Sequence, residues 1–154
     1  MMRKILSILF LVFSCSMASA QVNSLDEEGK GLRGYDPVEY LDSRAIVSGQ
    51  EEFHFTYKGA RYHFRDIRNK VTFVKNKDRY VPQYGGFSAD GILRGQRSAG
   101  LPEYFLVHDE KLFMFDSQEA LNGWKEDTAG KVARADQRWE EIITSEQQQS
   151  PPEE

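Results

Sequence analysis

The sequence contains a single cysteine, Cys15, among 154 residues. We expect Cys15 to be removed with an N-terminal signal, which leaves a chain without thiols that can form neither a disulfide bond nor a thiolate metal site. After the first twenty residues no apolar run is long enough to span a bilayer. The sequence therefore excludes a disulfide-stapled scaffold and a cysteine-based zinc domain, and no membrane span is expected after signal cleavage.

Catalytic and nucleic-acid-binding patterns are lacking too. No serine or cysteine lies in a nucleophile motif, and no glycine spacing matches a phosphate-binding loop. The chain has 20 basic and 24 acidic residues, without a cationic stripe interleaved with aromatic residues. Such an acidic balance disfavours phosphate backbones, so nucleic acid is not an expected partner. Because no catalytic motif is present, a non-enzymatic protein is predicted.

The N-terminus has the features of a secretory signal. Two basic residues precede an apolar run over 5–13, and Ala18-Ser19-Ala20 precedes Gln21. A short positive segment, a short apolar stretch and small residues at the cut predict a signal peptide over residues 1–20. We expect a secreted or periplasmic protein; the alternative is a lipoprotein anchored through Cys15.

Composition divides the rest of the chain into three parts. Residues 21–33 are polar and punctuated by glycine, which predicts a flexible lead-in. Residues 145–154 are polar, charged or proline, which predicts a disordered tail. One domain is expected between them, over residues 34–144.

The strongest β signal runs from Glu51 to Phe64. Aromatic residues alternate with polar ones on both sides of Lys58-Gly59, which predicts a hairpin with a two-residue turn. The expected cross-strand pairs are 55/62, 53/64 and 54/63. His54 and His63 should then be neighbours on the face opposite the aromatic residues.

Further elements complete an α+β prediction. Asp66 can cap a helix with Ile67, Val71 and Val74 on its apolar face, whereas residues 81–100 are rich in glycine and predict a long structured loop. A second hairpin is expected between Phe105 and Phe115, followed by two C-terminal helices, the first capped by Ser117 and the second restarting after Gly130. The expected fold is a small antiparallel sheet built from two hairpins, with a central helix and two C-terminal helices.

Four ordered motifs resemble those of the YHS domain family. They are Tyr35-Asp36-Pro37-Val38-Glu39-Tyr40, Gly59-Ala60-Arg61-Tyr62-His63-Phe64, Phe73 with Asn76-Lys77-Asp78-Arg79-Tyr80, and Pro82-Gln83-Tyr84-Gly85-Gly86-Phe87-Ser88-Ala89. The likeness extends from about Tyr35 to Trp139, and the last motif is similar to that of exported, single-domain members. The resemblance implies a binding module, and metal binding through cysteines is the usual suggestion for the family.

The chain departs from that family at the cysteines. Glu39, Arg65 and Asn69 occupy the positions where metal-binding members carry cysteine, and Ser88 the position where exported relatives often have one. Thiolates select soft metals, and an arginine at a ligand position adds a positive charge, so the family's thiolate site is not expected here.

Two candidate sites remain. His54 and His63 could hold copper or zinc, with Glu39 or Glu52 as a third ligand; the alternative is a pair of partly exposed histidines without a ligand. The loop Tyr84-Gly85-Gly86 with Ser88 could present backbone N–H groups to a ligand, with Arg94 and Arg97 holding an anion; the alternative is a structural turn whose tyrosine fills the core.

The sequence thus predicts an exported YHS-type binding module that holds metal through its histidines or, alternatively, a metal-independent protein-interaction or structural domain of the cell envelope. Its partner is then an envelope protein or a metal ion.

Overall fold

The computed structural model describes residues 23–149. The predicted signal peptide with Cys15, and residues 150–154 of the predicted tail, lie outside the described residues. The α+β class is confirmed. The strands are β1 Gln50–Tyr57, β2 Ala60–Phe64, β3 Leu101–His108 and β4 Lys111–Phe115; the helices are α1 Ile67–Lys75, α2 Lys77–Tyr80, α3 Ala89–Leu93, α4 Gln118–Lys125 and α5 Thr128–Gln149.

The first hairpin forms around the predicted two-residue turn. Lys58 and Gly59 have φ of 48° and 81°, the left-handed pair that a tight hairpin requires. Phe55 pairs with Tyr62 and His54 with His63, as predicted. The predicted 53/64 pair is wrong, because the register shifts between Gln50 and His54 and Phe64 pairs with Gln50 instead. A β-bulge of this kind adds residues to one strand and leaves no mark in a simple alternation.

The second hairpin separates two hydrophobic cores. It is an independent two-stranded sheet, so the two hairpins do not share one continuous hydrogen-bonded sheet. Leu112 and Met114 of β4 belong to one core, and Phe113 and Phe115 belong to the other; all four are at most 2 % exposed. The molecule therefore has three layers, with the first hairpin and α1 on one side of β3–β4 and helices α3, α4 and α5 on the other.

Phe73 is the centre of the first core. It is fully buried, and its ring lies 5.0 Å from that of Phe64 and 5.2 Å from that of Tyr62. The predicted apolar face of α1 is wrong in this respect: Ile67 and Val71 are 53 % and 44 % exposed. One large aromatic residue anchors this short helix, and the aliphatic residues at i and i+4 point outward.

The second core lies under the C-terminal helices. Asp66 and Ser117 cap α1 and α4 as predicted: the Asp66 side chain accepts from the N–H of Arg68 and Asn69, and Ser117 Oγ accepts from the N–H of Ala120. Trp124 of α4 is fully buried and packs on Phe115, with ring centroids 5.4 Å apart. Helix α5 begins at Thr128 and not after Gly130 as predicted, and it adds the apolar residues Val132, Ala135, Trp139 and Ile142 to this core.

The two predicted outer boundaries of the domain are wrong as well. In the predicted flexible lead-in 21–33, the part from residue 23 is ordered: Ser24 N–H donates to the Gly85 carbonyl at 2.9 Å, Gly31 N–H donates to that of Arg61 at 3.0 Å, and Leu32 is buried. The buried Leu32 and the backbone hydrogen bonds to neighbouring segments hold these residues in place, although their composition is polar.

In the predicted disordered tail 145–154, residues 145–149 continue α5. Glutamate and glutamine are good helix formers, and a helix that is already nucleated extends through them without apolar contacts. An ion pair between Arg97 and Glu146 ties this end of the helix to the loop after α3.

The predicted long loop 81–100 contains more regular structure than expected. A 3-10 turn covers Gln83–Gly86 and α3 covers Ala89–Leu93, capped by Ser88 Oγ. Between residues 23 and 149, no helix combines the length and the hydrophobicity needed to cross a membrane.

Candidate functional site

Asp36 is the centre of a buried polar network. It is completely buried, and its carboxylate accepts hydrogen bonds from three parts of the chain. Oδ1 accepts from the N–H of Val38 at 2.8 Å; Oδ2 accepts from the N–H of Arg65 at 2.8 Å and from Asn69 Nδ2 at 2.7 Å. Asp36 thus forms the turn expected of an Asp-Pro pair and also ties the end of β2 to α1.

Asn69 links Asp36 to a second carboxylate. Its Nδ2 also donates to Glu39 Oε1 at 2.8 Å, so both amide hydrogens are used. Arg65 Nη1 lies 2.9 Å from the same Glu39 oxygen. Glu39, only 6 % exposed, is thereby neutralised by a guanidinium that remains half exposed. We call Asp36, Glu39, Arg65 and Asn69 the carboxylate network.

Burial sets the electrostatics of this network. Desolvation raises the pKa of the Asp36 carboxyl, and the hydrogen bonds from Arg65 N–H, Asn69 and Val38 N–H oppose that rise. Two acids brought out of water near each other are tolerated because an amide and a guanidinium donate to them. The network is therefore a filled site, with a side-chain cation in place.

The predicted histidine pair is present. His54 and His63 are cross-strand partners, with ring centroids 5.9 Å apart and a 33° angle between the rings. His54 is exposed, and its Nδ1 lies 2.9 Å from the Glu51 carbonyl oxygen. His63 is only 2 % exposed, so the expectation of two partly exposed histidines is wrong for one of them.

His63 is covered by the segment before β1. A Cβ on Gly49 would lie 2.5 Å from the backbone carbonyl carbon of His63, so glycine permits this close approach. The Nε2 atom of His63 is buried without a hydrogen-bond partner. Burial lowers the pKa of His63, Lys30 and Arg61 lower it further, and Glu51 opposes them.

The predicted third metal ligand is elsewhere. Glu39 accepts a hydrogen bond from Asn69 and forms an ion pair with Arg65 in the carboxylate network, so its carboxylate is not directed at the histidines. Within the described part of the chain, no three His, Cys, Asp or Glu side chains are grouped so that they could hold a metal ion. His54 and His63 are thus a pair without a third metal ligand among residues 23–149, and Glu52 does not complete it.

The glycine loop is engaged in structural hydrogen bonds. Tyr84, Gly85 and Gly86 all have positive φ, and Tyr84 is buried with its hydroxyl donating to Asp136 at 2.8 Å. The carbonyl groups of Gly85 and Gly86 accept from the N–H of Ser24 and Gly100. These contacts favour the interpretation of a structural turn whose tyrosine fills the core.

The remaining predicted loop residues also have partners in the fold. Ser88 is fully buried, caps α3 and donates its N–H to the Ser98 carbonyl at 2.8 Å. Arg94 pairs with Asp90 at 3.0 Å, and Arg97 pairs with Glu146 and lies over the Phe87 ring. The two arginines are therefore not directed together at an anion site.

Comparison with models of known protein families, with curated proteins and with solved structures yields no match for this chain.

Sequence reasoning had noted Arg65 and Asn69 only as replacements of cysteine. It missed that Asn69 bridges two buried carboxylates and that Arg65 closes the network. One signal was available: Asp36 and Glu39 lie within a motif that otherwise supplies core aromatic residues, and Arg65 and Asn69 lie just after another such motif. Buried carboxylates are stable only when polar groups of this kind satisfy them.

Proposed function

We propose that this protein is an exported, non-enzymatic binding module of the YHS type that works without a metal ion in its carboxylate network. The observation that carries the proposal is the convergence of Glu39, Arg65 and Asn69. Glu39 Oε1 lies 2.8 Å from Asn69 Nδ2 and 2.9 Å from Arg65 Nη1. These three residues stand at the family's cysteine positions, and positions that serve as ligands in relatives must be neighbours in space.

The chemistry of the network does not suit the family's metal. Thiolates are replaced by a carboxylate, an amide and a guanidinium, and the guanidinium already supplies the positive charge. A metal ion would have to displace Arg65 and accept repulsion from it. We infer that the fold is retained for binding a partner in the cell envelope, while the ion pair has taken over the structural role of a bound cation.

A cysteine-restoration experiment tests this proposal. In the triple variant Glu39→Cys, Arg65→Cys, Asn69→Cys, three thiols would lie where the network now lies. We expect the variant to bind about one equivalent of zinc and to show thiolate-to-cobalt charge-transfer absorption with cobalt. Elemental analysis and copper and zinc titration of the unmodified protein should show no stoichiometric metal.

A matched control places three cysteines on exposed residues of separate elements, as Glu52→Cys, Lys111→Cys and Lys125→Cys. It should bind zinc far more weakly than the network variant. Equal affinity of the two triple variants, or near-equimolar metal in the unmodified protein that disappears on Glu39→Gln, would contradict the proposal.

A second candidate function is copper or zinc binding by His54 and His63. The buried Nε2 of His63, which has no hydrogen-bond partner, favours it, since an imidazole nitrogen that no other group engages can serve as a metal ligand. The same titration distinguishes the two functions. Near-equimolar metal that is lost in the His54→Ala, His63→Ala double variant would support the histidine site, and its absence would leave the metal-independent module.

Export is part of the proposal and has its own test. Intact mass of the protein recovered from the producing cell should correspond to a chain that begins at Gln21. A mass that includes a lipidated Cys15 would replace the secreted or periplasmic form with an anchored lipoprotein.

A further inference from the structure

Positive charge is concentrated in one segment of this acidic protein. Residues 65–79 contain six basic and two acidic side chains, whereas the chain as a whole has 20 and 24. The rest of the sequence therefore has 14 basic and 22 acidic residues. The segment consists of Arg65, the cap Asp66, α1 and most of α2.

The outer face of α1 combines these cations with exposed aliphatic groups. Ile67, Arg68, Val71 and Lys75 are all exposed, while Phe73 on the opposite face is buried. Ile67 and Val71 are one turn apart and form neighbours on the helix surface. They are two of three large apolar residues that are strongly exposed in the described part of the chain. We call Ile67, Arg68, Val71 and Lys75 the α1 face.

The acids of the segment do not neutralise this face. Asp66 accepts from the N–H groups of Arg68 and Asn69 at the helix start, and its ion pair with Arg68 is long, at 3.8 Å. Asp78 accepts from the Tyr57 hydroxyl and from Lys58. In the range 23–149, Lys75 forms no ion pair with a carboxylate.

We propose that the α1 face binds an acidic polypeptide segment that carries two apolar side chains about one helical turn apart. Glutamate or aspartate side chains of the segment pair with Arg68 and Lys75, and its apolar side chains cover Ile67 and Val71. This inference deepens the proposed function, on which it rests, because it names the surface and the partner class of the binding module.

Charge favours a polypeptide over an anionic membrane. A planar lipid surface would also face the acidic remainder of the protein and be repelled by it. A short segment on α1 stays close to the cations, and at physiological salt charges farther away than about 8 Å are largely screened. The nine-residue α1 is about 13 Å long, which is enough to contact a segment whose two apolar side chains are one helical turn apart.

The test uses a synthetic glutamate-rich peptide with two leucines four positions apart, and a matched peptide with serine in place of both leucines. Fluorescence anisotropy with the full exported chain should show saturable binding of the leucine peptide and roughly tenfold weaker binding of the serine peptide, a difference of about 1.4 kcal/mol. Two double variants, Ile67→Ser with Val71→Ser and Arg68→Glu with Lys75→Glu, should each weaken binding of the leucine peptide by a similar factor.

A charge-matched control, Lys111→Glu, Lys125→Glu, alters two exposed cations elsewhere and should leave the affinity within about twofold. All these side chains are exposed, so thermal unfolding should remain close to that of the unmodified protein. Amide chemical-shift changes on peptide addition should centre on α1.

Three outcomes overturn the inference: no saturable binding, equal binding of the two peptides, or an equal effect of the charge-matched control. Vesicles of phosphatidylglycerol that retain the protein in a manner dependent on Ile67 would also overturn it, in favour of a membrane surface. The proposed function fails separately, through stoichiometric metal uptake, and that result would leave the peptide measurements unchanged.

Discussion

Replacing Asp36 by asparagine perturbs the centre of the carboxylate network with a nearly isosteric side chain. The carboxylate accepts three hydrogen bonds from Val38 N–H, Arg65 N–H and Asn69 Nδ2, at 2.7–2.8 Å. An asparagine has one acceptor oxygen, and its NH2 group must then face at least one of these donors. Donor would oppose donor in a completely buried position.

The magnitude follows from these contacts. One buried donor left without an acceptor costs about 1–3 kcal/mol, and the surviving bonds lose the extra strength that an ionised acceptor gives. Removal of a buried charge offsets part of this loss. We therefore expect Asp36→Asn to lower the free energy of unfolding by about 2–4 kcal/mol.

Urea unfolding followed by circular dichroism measures this loss. The control is Asp78→Asn, the same chemical change at a carboxylate that is exposed and accepts from Tyr57 and Lys58; it should have little effect. A loss below about 1 kcal/mol for Asp36→Asn, or one no larger than that of the control, would refute the account of the network.

The pH dependence provides a second check with a defined sign. Because burial raises the pKa of Asp36 above its ordinary 3.8, the folded state binds its proton more tightly than the unfolded state does. Stability from this group therefore increases as the pH falls through the raised pKa toward 3.8. The stability gap between the unmodified protein and Asp36→Asn should widen in that direction, and a narrowing gap would contradict the burial argument.

Three further predictions concern other parts of the fold. Gly49→Ala places a Cβ 2.5 Å from the His63 backbone and should cost about 1–3 kcal/mol in urea unfolding, whereas Gly123→Ala, with nothing within 4 Å, should be neutral or stabilising. Because burial lowers the pKa of His63 below 6.5, stability should decline as the pH falls below 6.5, and His63→Phe should flatten that decline; an unchanged slope would contradict it. Tyr84→Phe removes the hydrogen bond to Asp136 and should reduce the free energy of unfolding by about 1 kcal/mol, which lowers the melting temperature. An unchanged melting temperature would indicate that this bond does not stabilise the fold.

Local signals in the sequence predicted the elements well. Lys58-Gly59 identified a two-residue turn, and Asp66 and Ser117 identified helix starts. Each of these signals depends on backbone conformation or capping within a few residues of the feature, so no knowledge of the rest of the fold is required.

Long-range contacts account for what was missed. The N–H of Ser24 donates to the Gly85 carbonyl, and Asn69 donates to both Asp36 and Glu39, which lie 33 and 30 positions earlier in the sequence. The outward orientation of Ile67 and Val71 could not be read from their spacing, because a single buried Phe73 decides which way α1 faces. Periodicity describes a face of a helix but not whether another element covers it.

Strand β4 contributes side chains to both hydrophobic cores. Leu112 and Met114 face one core, Phe113 and Phe115 the other, and none of the four has a face toward solvent. Inserting one residue before Leu112 would reverse the core that each of these four side chains faces, so we expect both cores to be disrupted. We therefore expect the two cores to unfold together, because a fragment that lacks β4 lacks part of both.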